Sequence, residues 1–189
     1  TVADKRSAGW MRCAPLGLLA LSVAISAQGS EVDARPGTSV ERVSRSPNVV
    51  VIYTDDQGYG DCRALNFDCG FPTPNLDRLA GQGMTFTDAH SASGVCSPSR
   101  YALLTGRYAW RTRLKRGVMG ADADCLIANG RWTIASLLRD RGYATAMFGK
   151  WHLGLQVPGS RGQRDWTARV TDGPLQKGFE RFYGIPASM

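Results

Sequence analysis

Residues 49–53 read Val-Val-Val-Ile-Tyr, an unbroken β-branched and aromatic run set between Pro47-Asn48 and Asp55-Asp56. A strand with one wet face alternates apolar and polar residues. A continuous apolar run needs cover on both faces, which is the condition inside a parallel sheet. A second strand candidate, 143–148, follows a helical pattern at 133–141, where Ile134, Leu137 and Leu138 fall on one face and Gly142 supplies a stop. Thr73-Pro74 opens another short helix that Gly81 and Gly83 close, and 84–87 reads as one more short strand. This alternation predicts an α/β fold: a mostly parallel sheet with helices on both faces. In such sheets ligands gather at the carboxyl ends of the strands. Asp55 and Asp56 follow the first strand, and Lys150 and His152 follow the second, so the four should share one rim.

Size and charge narrow the remaining choices. A chain of 189 residues suffices for one domain with a sizeable core. Its formal net charge of +7 suggests an anionic partner: nucleic acid, a sulfated glycan or a small sulfate ester. Nucleic acid is disfavoured, because no recognisable binding module is present. The densest basic run, 107–116, holds Arg107, Arg111, Arg113, Lys115 and Arg116 without an acid, and reads either as a solvated face or as a rim that attracts an acidic substrate.

Residues 1–30 resemble a signal peptide: Met11-Arg12 precedes an apolar stretch from Ala14 to Ala27 that is short for a bilayer and ends in small residues. Met11 is an alternative start. Residues 31–46, rich in Ser, Arg and Glu, read as a disordered leader, and the domain proper starts at residue 47. The protein is therefore expected to be exported, with no stable membrane anchor. In an exported protein Cys62 and Cys69 could close a short disulfide loop, although spacing does not fix the pairing.

The chemistry centres on Cys96-Ser97-Pro98-Ser99-Arg100. Pro98 suits a first helical turn, and Tyr101, Leu103 and Leu104 supply apolar residues behind it. Cys96 would stand at the helix N-terminus, where unpaired N–H groups and the dipole lower a thiol pKa and receive anions. Arg100 comes one turn later and can fold back over the same place. Asp55 and Asp56 are adjacent carboxylates whose repulsion is relieved by a hard divalent cation, although an Asx-type turn is the better reading of the dipeptide alone. Lys150 and His152, two apart in an extended segment, would lie on one side with Trp151 opposite. His90, the other histidine, reads as structural.

The pentapeptide resembles the C-x-P-x-R signature of the sulfatase family. Further segments resemble that family in order: 48–61 with Asp-Asp-Gln-Gly-Tyr-Gly-Asp, 73–79, Gly-Lys-Trp-His-Leu-Gly at 149–154, and 178–188. The resemblance implies an alkaline-phosphatase-like core and hydrolysis of sulfate monoesters. It implies that a maturation enzyme oxidises Cys96 to formylglycine, whose hydrate is the nucleophile. Asp55, Asp56 and the modified Cys96 would ligate calcium, or magnesium in its place. Arg100 would orient the hydrate, Lys150 would contact sulfate, and His152 would take the proton that starts sulfate release. The family's further metal ligands and leaving-group residues have no counterpart in this sequence. The chain thus resembles the N-terminal part of a sulfatase catalytic domain, expected to be inactive alone. Two other readings are a phosphate or phosphonate ester hydrolase of the same superfamily, and a non-catalytic exported protein that binds sulfated glycans.

Overall fold

The computed structural model describes residues 46–187. The expected signal segment at 1–30 and all of the expected leader except Ser46 lie outside those residues. The described helices are α1 (Pro74–Gln82), α2 (Cys96–Thr105) and α3 (Ile134–Asp140), and the strands are β1 (Ala146–Lys150) and β2 (Arg181–Ile185). Single 3-10 turns stand at Tyr59–Asp61, Ala109–Arg111 and Pro174–Lys177. Among the described residues no helix is long and apolar enough to cross a membrane.

Strands β1 and β2 pair in parallel, with Ala146 opposite Arg181 and Lys150 opposite Ile185. The ladder continues past Lys150, since Trp151 N–H donates to the Ile185 carbonyl and His152 N–H to that of Pro186. A parallel pair needs a long crossover. Here it is a loop pinned by the Gln156–Asp172 bridge and by the buried ammonium of Lys177, 2.7 Å from Asp172 Oδ1. Beyond the strand ends, Trp151, Leu153 and Leu155 enter a core with Tyr101, Leu104, Met119, Leu126 and Ile127. Trp151 has no exposed surface, and its indole N–H donates to the Gly154 carbonyl at 2.8 Å.

The α/β class and the parallel pairing agree with the sequence, but several elements differ. The run 49–53 is not a strand: among the described residues nothing pairs with it, and Val50 and Ile52 are 69% and 71% exposed. Its side chains form one wall of an open groove of about 440 Å³, with Leu76, Leu79, Leu103 and Ile134 across from them. A strand of this composition needs neighbours on both edges and both faces, and none is present here. Residues 84–87 likewise form no strand.

Strand β1 starts three residues later than the pattern suggests, and β2 carried no strand signal that set it apart. In α3 the buried face is set by Ala135 rather than by Leu137, which is 48% exposed. Tertiary anchors cause this rotation. Thr133 accepts the Ser136 N–H at 3.0 Å as N-cap and donates to the Lys177 carbonyl, while Gly178, at φ 106, lies directly against Ser136. Cys62 and Cys69 are both free thiols, so no disulfide closes that loop.

Candidate active site

Helix α2 begins at Cys96, after Val95 in an extended N-cap conformation, and ends at Gly106 in the left-handed region with φ 63. Its first turn is unusually buried for so polar a sequence: Ser97 is wholly enclosed, and Ser99 and Arg100 are also buried. The reason is hydrogen bonding. Ser99 Oγ donates to the Val95 and Ser93 carbonyls. Ser97 Oγ donates to the His152 carbonyl at 2.8 Å and accepts the Met119 N–H at 2.9 Å. The start of α2 is thereby fastened to the segment beyond β1.

That fastening brings distant parts of the sequence together. Cys96 Sγ stands 3.6 Å from Asp55 Oδ1 and 3.1 Å from Lys150 Nζ. Lys150 Nζ donates to Asp55 Oδ2 at 2.8 Å, and the Arg100 guanidinium lies 3.6 Å from Asp55 Oδ1. Arg100 also donates to the Lys150 carbonyl at 2.6 Å and sits over the Tyr53 ring, 5.9 Å from its centroid. Its Nε is buried without a partner, which leaves a donor in the site uncommitted.

The electrostatics follow from these contacts. The Lys150 ammonium bonded to Asp55, together with Arg100, holds the Asp55 carboxyl below its ordinary range against the opposing effect of burial. The same bond to Asp55 raises the Lys150 pKa. His152 is pushed down, first by burial and then by the neighbouring Lys150 and Arg100 cations, so its imidazole is held neutral. Its Nε2 lies 2.9 Å from the Met119 carbonyl and therefore carries the proton in that bond.

The residues singled out from sequence occupy two tiers. Asp55 contacts Cys96, Lys150 and Arg100 directly, and Lys150 also contacts Cys96. Asp56 joins them through its carboxylate, since ligand atoms of Asp55, Asp56 and Cys96 all lie within 4.8 Å of one another. His152 sits behind this group, linked through Ser97 and Met119. The expected extended register of Lys150 and His152 breaks at His152, whose φ is 53. Asp56 has φ 58, and these two are the non-glycine residues with positive φ among those described. Such a backbone costs roughly 1–3 kcal/mol and persists where surrounding contacts enforce it. His90 lies apart, 2.6 Å from Asp88 on the surface.

Sequence reasoning passed over Ser97, Tyr53 and Met119. Ser97 fills a variable position of the pentapeptide, and Met119 contributes only backbone groups, so neither carried a side-chain signal. Tyr53 was read only as the end of a strand.

The donor set suits a hard divalent cation in part. Asp55 and Asp56 offer carboxylate oxygens on one side, and residue 96 completes a three-membered cluster. A thiol sulfur is a poor ligand for such an ion, whereas an oxygen at the same position would match the two carboxylates.

An α/β core with a helix N-terminus, paired carboxylates and a lysine at one strand end belongs to the alkaline-phosphatase-like class. A family model described as Sulfatase matches residues 47–188, and the chain belongs to the sulfatase family. It is 39% identical over 146 residues to an N-acetylgalactosamine-6-O-sulfatase of Bacteroides thetaiotaomicron, covering 77% of this chain and 28% of that protein. It is 41% identical over 146 residues to human arylsulfatase A, covering 77% of this chain and 26% of the relative. A solved structure whose title concerns glycosaminoglycan metabolism by B. thetaiotaomicron superposes with a TM-score of 0.62 at 39% identity, covering 71% of this chain and 27% of that one. The chain thus spans about a quarter of the length of these relatives.

Proposed function

We propose that this chain carries the nucleophile side of a sulfuric ester hydrolase, with Cys96, as formylglycine, the attacking residue. The observation that carries the reading is the position of Cys96 Sγ, 3.1 Å from Lys150 Nζ and 3.6 Å from Asp55 Oδ1 at the start of α2. A nucleophile there faces the ammonium and the helix N-terminus that favour a tetrahedral anion, beside carboxylates that suit a divalent cation. As formylglycine hydrate, residue 96 would supply one hydroxyl to attack sulfur and a second whose deprotonation expels sulfate. A calcium ion, or magnesium, held by Asp55, Asp56 and the oxygen of residue 96 would supply positive charge to the sulfate oxygens.

The other residues have roles that follow from their contacts. Lys150 neutralises Asp55 and presents its ammonium to the sulfate. Arg100 holds Asp55 and the Lys150 backbone. His152, kept neutral by burial, is the base available for the proton of the hydrate. The substrate is a sulfated small molecule or glycan, and a formylglycine-generating enzyme acts first. An exported location, periplasmic, extracellular or lysosomal, goes with that chemistry. The isolated chain is expected to turn over little sulfate ester, because the described metal cluster has only Asp55, Asp56 and residue 96 to offer.

Mass spectrometry of the Cys96 peptide, from chain produced together with the maturation enzyme, tests the reading. The expected product has lost the thiol sulfur and gained an aldehyde. An intact thiol at residue 96, under conditions where a control sulfatase is converted, would overturn it.

A further inference from the structure

The basic run at 107–116 remains outside the site described above. It begins one residue past the C-terminus of α2. Helix α2 has ten residues, so its two ends are separated by about 15 Å. On this far end Tyr108 and Trp110 stack on each other, with ring centroids 5.7 Å apart and planes 18° apart. Both are exposed, at 53% and 59%, while Ala109 between them is buried and fixes the turn. Because the two rings stack on each other and both stay exposed, the pair presents open aromatic surface to solvent.

The charges around these rings are equally unspent. None of the ion pairs among the described residues involves Arg107, Arg111, Arg113, Lys115 or Arg116. Where these cations bond at all, they bond to backbone carbonyls: Lys115 to Trp110 at 2.9 Å, Arg107 to Arg111 at 3.3 Å, and Arg113 to Asp124 and Cys125. The Nε of Arg107 is buried with no partner. Guanidinium groups pair bidentately with tetrahedral oxyanions, and aromatic faces accept apolar C–H faces and cations.

We infer that Tyr108 and Trp110, with Arg107, Arg111 and Lys115, form a binding platform for a sulfated polysaccharide chain, separate from the Cys96 centre. Pyranose rings lie on the aromatic faces, and their sulfates meet the guanidinium groups. The platform lies far enough from Cys96 to hold sugars several units away from the one whose ester is cleaved, so it would hold a polymer in place rather than select the scissile group. Single-stranded nucleic acid also combines stacking with negative charge, but the ester chemistry proposed for the neighbouring centre favours the glycan. The inference extends that functional reading, and binding is measured without turnover so that the two can fail separately.

The test is calorimetric titration of the chain with a chondroitin sulfate hexasaccharide, its chemically desulfated counterpart, and an oligo-dT of equal charge. The sulfated hexasaccharide should bind tighter than either control, with affinity falling as salt rises. Trp110→Ala should weaken it roughly fivefold, and Arg111→Gln with Lys115→Gln by a similar factor. Trp132→Ala, which removes an exposed indole elsewhere, should leave binding unchanged. Equal binding of the desulfated sugar or of oligo-dT, or equal losses from Trp110→Ala and Trp132→Ala, would overturn the platform. Binding that follows the expected pattern in a chain whose Cys96 is never converted would uphold it while refuting the proposed hydrolase.

Discussion

Replacing Ser97 by alanine isolates the joint that assembles the site. Ser97 Oγ is fully enclosed and makes two hydrogen bonds, donating to the carbonyl of His152 and accepting the N–H of Met119. Removing one oxygen leaves too little room for a water, so both backbone groups lose their partner without replacement. An unsatisfied buried polar group costs roughly 1–3 kcal/mol, which puts the substitution at about 3 kcal/mol. The lost bond is also one of those holding His152 at φ 53, so the strained conformation should relax. For a domain of this size the midpoint of thermal unfolding should fall by roughly 6–12 °C. Urea titration followed by tryptophan fluorescence gives the free energy directly. Ser99→Ala is the control, because its hydroxyl bonds only within the helix entry, to the Ser93 and Val95 carbonyls and the Ser91 hydroxyl, and not to the segment beyond β1. A Ser97→Ala loss below about 1 kcal/mol, or one no larger than that of Ser99→Ala, would refute the idea that this hydroxyl ties α2 to the strand end.

Other outcomes follow from the charges. Because Lys150 holds the Asp55 carboxyl below its ordinary value of 3.8, that ionised pair contributes stability fully above pH 3.8, and loses it as the pH falls through the depressed folded value. Lys150→Met should shift the acid limb of the stability profile upward; an unchanged limb would show that the pair is idle. Burial keeps His152 neutral, so its contribution is complete above pH 6.5 and is lost as the pH falls through the lower folded value. Its imidazole C–H resonance should therefore titrate below pH 6.5 in the folded protein, and a midpoint above that would sink the assignment. Burial also pushes the Cys125 thiol up to about 11. Iodoacetamide at pH 8 should alkylate the half-exposed Cys69 in native protein and leave Cys125 untouched until denaturant is added, as peptide mapping would report.

Local chemistry was the legible part of this sequence. Pro74 marks a helix start because its missing N–H acts within one turn, and α1 begins there, although Thr73 makes no side-chain cap bond and bonds Asp77 instead. The rim expected for Asp55, Asp56, Lys150 and His152 rested on two strand ends, of which only the second is a strand; Asp55 still meets Lys150, at 2.8 Å, while His152 turns behind them. What escaped depends on partners distant in sequence. The Val49–Tyr53 run has strand composition but no neighbour among the described residues to pair with, so composition alone misled. Strand β2 exists because β1 lies beside it, and its close approach, Gly184 against the Gly149 backbone, was not apparent from either segment alone. The buried face of α3 turned toward Ala135 because Gly178 lies against Ser136, a contact more than forty residues away in the chain.

Lys150 and His152 flank Trp151, the fully enclosed indole at the head of the core. The backbone between them cannot move far unless that ring leaves its socket, since the Trp151 and His152 amides are both tied into the ladder with β2. The edge that carries Lys150 and His152 therefore has no loose hinge of its own: whatever frees it also dismantles the hydrophobic interior. Damage by heat or denaturant should abolish ligand capture and tertiary order in a single step, with no lingering population that is folded yet functionally slack.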